Sequence, residues 1–197
     1  MEPKPEEQVY QFKIHIVGIS PQIWRRVLVK SDSTVHDLHR VIQLVFDWDN
    51  YHLHLFRIHA VEFGDGGGAC GDVRKQLWKF KLRLRERFIY EYDFGDCWQH
   101  EVRLEKILPV VPKSFYPRCI SGKRATPPED CGGPQVYMVV QYRLLLRVLT
   151  GWDEDDFCDD DLAFFAEHCE DFNPEEFDKA AANRELATII GPELIKN

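Results

Sequence analysis

Apolar and polar residues alternate along the first part of the chain, and a period of two is typical of β-strands with one buried face. The segment VYQFKIHI alternates in this way, and QIWRRVLVK continues the pattern after a Ser-Pro turn. In STVHDLHRVIQLVFDW the apolar residues instead recur every three or four positions, with Thr34 at the N-cap and Asp37 three residues later. We therefore predict two strands followed by a capped helix.

The period of two returns in HLHLFRIHAVEF, which predicts a strand that leads into the glycine-rich loop GDGGGACGD, and again in LWKFKLRLRERFIYEY. In the second segment every other residue is basic, which predicts a strand with a ladder formed by Lys79, Lys81, Arg83, Arg85 and Arg87. Such a ladder needs a counter-charge, so nucleic-acid or anion binding through this strand is one functional hypothesis. A solvated face is the commoner explanation of the same pattern.

The segment YEYDFGDCWQH predicts a β-hairpin. A three-residue loop from Gly95 to Cys97 places the aromatic residues before and after the turn on one face. This register puts Tyr92 opposite His100. The tripeptide DFG also binds magnesium in protein kinases, but the chain lacks the accompanying glycine-rich loop, strand lysine and HRD segment. We therefore interpret it as a strand end and its turn.

The second half of the chain predicts loops and helices. RCISGKRATPPEDCGGP is a long Pro- and Gly-rich stretch, and loops of this length are often functional. PQVYMVVQYRLLLRVLTG predicts an apolar helix opened by Pro134. DDDLAFFAEHCED and NPEEFDKAAANREL predict two more helices, the second with Asn173 as N-cap and Pro174 at its first position.

Together these elements predict an α+β fold. We expect a mixed β-sheet with a helix packed across it, in a β-grasp-like β-β-α-β-β-β order, and C-terminal helices that close over the sheet. Residues 1–8 are expected to be disordered. Residues 9–133 would form the sheet domain with a long loop at 115–133, and residues 134–197 an acidic helical layer packed on it.

The net charge of −8 is unevenly distributed, because residues 1–150 carry 22 Lys and Arg against 18 Asp and Glu, whereas residues 151–197 carry 3 against 15. This balance disfavours duplex DNA as a partner and leaves a protein partner or a small anionic ligand open. No apolar run is long enough to span a bilayer, and the six cysteines form no CxxC pair. We expect a soluble, cytoplasmic protein with reduced thiols and no membrane partner.

Carboxylates cluster in two turn-rich segments, and they would form a polar site if the 93–100 hairpin meets the 119–133 loop. The candidate ligand-binding residues are Arg25, Arg26, Tyr92, Asp93, Asp96, Trp98, His100, Arg124, Glu129 and Asp130. Acidic residues also cap backbone N–H groups in tight turns, so a structural role for the carboxylates is the alternative.

A metal site is a second functional hypothesis. His52 and His54 are two residues apart, so on a strand they would share a face and could bind zinc or another divalent cation together with His100, or with Cys119 and Cys131. With nearby carboxylates, this set could serve a metal-dependent hydrolase. The simpler expectation is that the histidines are hydrogen-bonding surface residues and that the protein has no cofactor. Whether it is an enzyme stays open.

The segments IWRR, HLHLF, YEYDFGDCWQHEVRLE, CISGKRATPPEDCGGP and NPEEFD follow one another in an order that resembles the plasmid pRiA open-reading-frame-three family. Some members of that family are insertion-sequence passenger proteins of the TnpR type. The resemblance extends from Val9 to Leu186. One departure is visible: members often continue GGP with a glycine and a tyrosine, and here Val136 precedes Tyr137.

The resemblance implies an α+β domain whose function is not established, and an association with mobile elements. The TnpR label suggests a site-specific recombinase, which needs an activated serine among arginines and a helical DNA-binding module. Neither stands out in this sequence, so the activity is not carried over. We expect an accessory or binding protein with its site between the hairpin and the Pro- and Gly-rich loop.

Overall fold

The computed structural model describes residues 7–66, 68–150 and 172–189, and these residues form one β-sheet, three α-helices and a short 3₁₀ helix (Leu77–Phe80). The strands are β1 (Gln8–Ile16), β2 (Trp24–Lys30), β3 (His54–Ile58), β4 (Val61–Gly64), β5 (Arg87–Tyr92), β6 (Trp98–Pro109) and β7 (Arg118–Lys123). The helices are α1 (Val35–Phe46), α2 (Gly133–Thr150) and α3 (Lys179–Thr188). The predicted α+β class is confirmed.

The strands lie in the order β4-β3-β5-β6-β1-β2-β7. Every pair of neighbouring strands in this sheet is antiparallel, where the sequence suggested a mixed sheet. The pairing does not confirm the β-grasp-like topology. HLHLFRIHAVEF forms the hairpin β3–β4 rather than one strand.

Helix α1 begins and ends where its sequence predicts. The Asp37 backbone N–H donates to the Thr34 hydroxyl oxygen at 3.0 Å, and the Thr34 N–H donates to the Asp37 carboxylate at 2.8 Å. This capping box satisfies two N–H groups that a helix start leaves without partners. The helix ends at Asp47, which adopts a left-handed conformation with φ 58°. Its apolar face packs on the sheet and buries Val35, Leu38, Val41, Ile42, Val45 and Phe46.

Alternation along the central strands divides the sheet into two faces. In β1, Phe12, Ile14 and Ile16 are fully buried on the face that α1 covers. Burying one such side chain stabilises the fold by about 1.5–3 kcal/mol. The intervening residues, such as Lys13 and His15, are partly exposed on the face away from α1. Helix α3 packs against α1 and β7.

The hairpin between β5 and β6 has a longer loop than the sequence predicted. Tyr92 pairs with Trp98 and Tyr90 with His100, so the loop contains the five residues 93–97 rather than three. Cys97 donates its N–H to the carbonyl of Asp93 at 2.7 Å, and this bond closes the loop. The predicted agreement of faces nevertheless holds, because all four paired side chains are fully buried.

The prediction of a basic strand at residues 79–87 is wrong. Residues 77–80 form the 3₁₀ helix, residues 81–86 have no strand structure, and β5 begins only at Arg87. The backbone N–H of Trp78 donates to the carbonyl of Ser31, which ties this segment to the loop before α1. Lys81 and Arg85 also have positive φ angles, which a strand does not allow. The five basic side chains therefore form no ladder.

The C-terminal predictions are partly correct. The helix opened near Pro134 is α2, and the last helix begins at Lys179 with Asp178 as its N-cap, five residues later than predicted. The Asn173 side chain instead accepts the N–H of Glu175 in a turn. The predicted 115–133 loop contains β7. The helix predicted in DDDLAFFAEHCED lies outside the described residues, as do residues 1–6 of the predicted disordered start, whereas Gln8 already belongs to β1.

Candidate functional site

The β5–β6 loop and the segment 127–133 meet at one end of the sheet. The Asp96 carboxylate accepts the N–H of Gly132 at 3.1 Å, and the Tyr92 hydroxyl donates to the Glu129 carboxylate at 2.6 Å. Gly133 has a φ of 81°, and a side chain there would overlap the carbonyl oxygen of Asp96. A glycine is therefore needed for this close approach.

His52 lies between two carboxylates at this junction. Its Nδ1 atom is 3.7 Å from Asp93 Oδ1, and its Nε2 atom is 3.3 Å from Asp130 Oδ1. One donor atom from each of the three residues can be chosen so that all three lie within 4.8 Å of one another. Asp93 is buried, with 10% of its side chain exposed, and Asp130 is 57% exposed. The cluster therefore has a buried side and a solvent-facing side.

The junction carries more negative than positive charge. Burial and the neighbouring charges of Asp93 and Asp130 raise the pKa of Asp96, against the effect of the N–H groups of Gly132 and Gly133. Within the described part of the chain, no lysine or arginine forms an ion pair with any of these three aspartates. A bound cation would relieve this repulsion.

Two tyrosines hold the carboxylates in place. The Tyr92 hydroxyl oxygen accepts a hydrogen bond from the backbone N–H of His52 at 3.4 Å, and its O–H donates to Glu129. The Tyr51 hydroxyl donates to Asp130 at 3.1 Å. Burial and the hydrogen bond to Glu129 raise the pKa of Tyr92, so its proton stays in place at neutral pH. The sequence did not single out Tyr51, although the aromatic stretch WDNYH before β3 is a signal that could have drawn attention to it.

The structure brings together half of the predicted ligand-binding residues. Tyr92, Asp93, Asp96, Glu129 and Asp130 all contribute to the junction.

His100 and Trp98 do not contribute, because both side chains are fully buried beneath the junction. His100 Nδ1 donates to the carbonyl of Trp98 at 3.0 Å, and burial lowers the pKa of His100 to about 3. Its ring packs edge-on against Phe46 and Trp48, so it belongs to the core.

The three predicted arginines have their hydrogen-bond and ion-pair partners outside the junction, although Arg25 lines a cavity of about 520 Å³ that Tyr51 and Glu129 also line. Arg25 is buried and donates to backbone carbonyls, Arg26 pairs with Glu105 on the far face of the sheet, and Arg124 pairs with Glu175.

The predicted metal set of His52, His54 and His100 is not brought together. His54 Nδ1 is 2.7 Å from Asp65, and the His54 ring stacks on His39 with ring centres 3.6 Å apart. The two neighbouring histidines do not share a strand face, because β3 begins at His54 and His52 precedes it. Among the described residues, the only cluster of three His, Cys, Asp or Glu side chains with metal-ligand spacing is His52, Asp93 and Asp130.

A seven-stranded antiparallel sheet with a capped helix across one face, and a polar junction where a hairpin loop meets the segment before α2, define the architecture of this α+β protein. The family model described as "Plasmid pRiA4b ORF-3-like protein" matches residues 8–181. The chain belongs to this family, which confirms the resemblance seen in the sequence.

Two relatives extend this comparison. The "Uncharacterized protein y4hQ" of Sinorhizobium fredii is 33% identical over 135 residues, which are 66% of this chain and 69% of that protein. The crystal structure of a protein of unknown function, MM3350, from Methanosarcina mazei Go1 is similar with a TM-score of 0.75 and 37% identity, over 89% of this chain and 98% of that one. No helix of the described residues combines the length and apolar character needed to cross a membrane.

Proposed function

We propose that the protein is a binding protein that takes up a divalent cation at the His52–Asp93–Asp130 cluster. The observation that carries this proposal is that three separate chain segments place one imidazole and two carboxylates within 4.8 Å of one another. Around a metal with ligand bonds of about 2.1 Å, donor atoms are roughly 3–4 Å apart, so a small inward movement of the side chains suffices.

The residue types indicate which cations to test. Imidazole nitrogen suits zinc and other transition metals, whereas carboxylate oxygen suits magnesium, calcium and manganese. One nitrogen with two oxygens favours Zn²⁺ or Mn²⁺ over Mg²⁺. A cation bound there would also offset the charge repulsion that adds to the effect of burial in raising the pKa of Asp96.

Hydrolysis by the bound metal is a second candidate. Three protein ligands leave a coordination position for water or substrate, which distinguishes catalytic from structural zinc sites. The solvent-exposed side of Asp130 provides access to that position. In this hypothesis the Glu129 carboxylate, held by Tyr92, is the candidate base.

Calorimetric titration of metal-free protein with Zn²⁺, Mn²⁺ and Mg²⁺ tests the proposal. We expect one cation per chain, with Zn²⁺ or Mn²⁺ bound more tightly than Mg²⁺, and at least about a tenfold loss of affinity in His52→Ala and Asp93→Asn. His59→Ala is the matched control, because His59 is an exposed histidine that contacts Glu86, away from the cluster.

An alternative without metal is that His52 has a purely structural role and links the two aspartates through its contacts of 3.7 and 3.3 Å. If the wild-type protein binds none of the three cations, or if His52→Ala binds them as well as the wild type does, the proposal is wrong.

A further inference from the structure

Four basic residues form a continuous row across the face of the sheet that points away from α1. Arg87 on β5 pairs with Arg103 on β6, Arg103 pairs with Lys13 on β1, and Lys13 pairs with Arg26 on β2. Directly paired side chains in an antiparallel sheet lie about 5 Å apart, and like charges at such positions destabilise the sheet. A row of this kind needs compensating anions.

Glutamates compensate only the two ends of the row. Arg26 forms a two-pronged pair with Glu105, with N–O distances of 2.6 and 3.1 Å, and Arg87 lies 3.1 Å from Glu101. Arg103, between these ends, forms no ion pair with any described residue, and its Nε atom is buried without a hydrogen-bond partner. A buried donor without a partner is rare in folded proteins and calls for an explanation.

The neighbouring centre position also forms no ion pair. Lys13 donates to the neutral side chain of Gln22 at 3.2 Å and lies over the ring of Trp24, with no carboxylate partner among the described residues. The two centre residues, Lys13 and Arg103, are therefore the members of the row that form no ion pair with a described residue.

The row borders an open concavity of about 560 Å³. Its charged lining consists of Arg26, Arg85, Arg103 and Lys106 against a single acid, Glu105. Arg85 has a positive φ of 69°, and its N–H donates to the carbonyl of Leu104 at 2.7 Å, which fixes this backbone conformation next to β6. Neither Arg85 nor Lys106 has an ion-pair partner within the described residues.

We propose that this concavity binds the phosphate group of a small phosphate-bearing ligand. Guanidinium groups bind phosphate through paired N–H donors, and Arg103 lines the concavity without an ion-pair partner among the described residues. Glu101 and Glu105 lie two residues before and two residues after Arg103 on β6. Their carboxylates therefore limit the positive surface around Arg103 to the size of one or two phosphate groups. This surface and the net charge of −8 favour a small ligand over a nucleic-acid strand.

The site is independent of the proposed cation site, because the two share no residue. It includes Arg85 from the basic segment 79–87. Its other basic residues are Arg26 in β2 and Arg103 and Lys106 in β6. The sequence pattern did not predict this phosphate site, because residues that are neighbours across strands are far apart along the chain.

Calorimetric titration of the full-length protein with inorganic phosphate, pyrophosphate and ADP tests this proposal. We expect saturable binding of pyrophosphate or ADP that weakens as salt is raised, and at least about a tenfold loss of affinity in Arg103→Gln. Arg74→Gln is the matched control, since Arg74 is an exposed arginine that pairs with Asp72, outside the concavity. It should bind as the wild type does.

Thermal unfolding separates loss of a ligand contact from loss of the fold. Because Arg103 lies between two cations across the strands and two carboxylates along its own strand, Arg103→Gln should leave Tm close to that of the wild type while its affinity falls. Arg103→Lys, which keeps the charge but loses the guanidinium geometry, should bind with intermediate affinity.

A labelled single-stranded 20-nucleotide RNA and DNA form the second arm of the experiment. If either oligonucleotide binds more tightly than ADP in an Arg103-dependent manner, the occupant is a nucleic acid and the small-ligand proposal is wrong. It is equally wrong if none of the phosphate compounds binds, or if Arg103→Gln binds them as well as the wild type.

Discussion

The hydroxyl of Tyr92 donates a 2.6 Å hydrogen bond to Glu129 across the junction between the β5–β6 loop and the segment before α2. The ring of Tyr92 is fully buried and stacks on Trp48 at 4.9 Å between ring centres. The rigid sheet therefore fixes the position of a carboxylate that belongs to a surface segment. The same hydroxyl receives the N–H of His52, so it also positions the imidazole of the proposed cation site.

Replacing Tyr92 with Phe tests this arrangement. The substitution keeps the buried ring and leaves Glu129 and the His52 N–H without this partner, so we expect a loss of about 1–2 kcal/mol in the free energy of unfolding by urea. Cation affinity should fall as well, because the imidazole is less firmly held. Tyr51→Phe is the control: its hydroxyl bonds Asp130 from an exposed ring, so its removal should cost less than about 0.5 kcal/mol. Equal stability losses in the two variants would contradict the assigned role of Tyr92.

Gly133 and Gly95 provide a second matched pair. A methyl group at Gly133 would overlap the carbonyl oxygen of Asp96 at a φ of 81°, whereas one at Gly95 would meet only the Asp93 carboxylate at 3.2 Å. We expect Gly133→Ala to destabilise the protein by about 2 kcal/mol or more and to weaken cation binding. Gly95→Ala should change stability by less than about 1 kcal/mol. Urea unfolding and metal titration of both variants measure the difference, and a tolerated Gly133→Ala would show that the junction can open without cost.

Arg25 is a buried arginine whose partners are all neutral. It donates to the carbonyl of Val45 in the last turn of α1 at 2.7 Å, to the carbonyl of Lys123 in β7 at 3.1 Å and to the hydroxyl of Thr126 at 3.1 Å. Its guanidinium carbon also lies 3.9 Å from the centre of the Phe177 ring. One side chain thus joins α1, β7 and the following loop, and burial lowers its pKa to about 10.

We expect Arg25→Lys to lower the free energy of unfolding by about 2–4 kcal/mol, because a lysine cannot reach three divergent acceptors and leaves buried carbonyls without donors. Arg26→Lys alters the adjacent residue, whose pair with Glu105 is partly exposed, and should cost at most about 1 kcal/mol. Chemical denaturation of both variants at one pH makes the comparison. Similar losses would mean that the Arg25 contacts do not hold these elements together.

The β5–β6 hairpin shows what the hydrophobic pattern can and cannot predict. Alternation requires Tyr90, Tyr92, Trp98 and His100 to share a face, and they do. A loop of three residues and a loop of five residues both satisfy that requirement, since they differ by one full period of the strand. The pattern therefore predicted the faces correctly and left the register undetermined. Loop closure by the Asp93 carbonyl, which selects five residues, depends on backbone geometry that alternation does not encode.

The candidate site was predictable to a similar extent. Two turn-rich segments with four carboxylates suggested a polar junction, and the structure brings these residues together. His52 belongs to the polar junction and His54 does not, because β3 begins at His54. A period of two in the sequence does not determine where a strand begins. The basic segment 79–87 fails for a related reason: its alternation is real, but hydrogen bonds to the loop before α1 hold residues 77–80 in a 3₁₀ helix.

Buried histidines make the stability of the protein dependent on pH. Burial lowers the pKa of His39 and of His100 to about 3, whereas both are near 6.5 in an unfolded chain. Below pH 6.5 the unfolded state therefore binds more protons than the folded state, so their full contribution to stability is present above pH 6.5 and is lost as the pH falls towards 3. Each histidine contributes a slope of up to about 1.4 kcal/mol per pH unit. Urea unfolding between pH 7.5 and 5 measures that slope.

His39→Gln should reduce the slope of stability against pH by up to about 1.4 kcal/mol per pH unit, the contribution of one titrating histidine. Glutamine can retain a hydrogen bond to Tyr90 or Asn50 without titrating. Urea unfolding of His39→Gln and of the wild type at the same pH values compares the two slopes directly. A His39→Gln variant with the wild-type slope would mean that the imidazole of His39 can accept a proton inside the folded protein, against the effect of its burial.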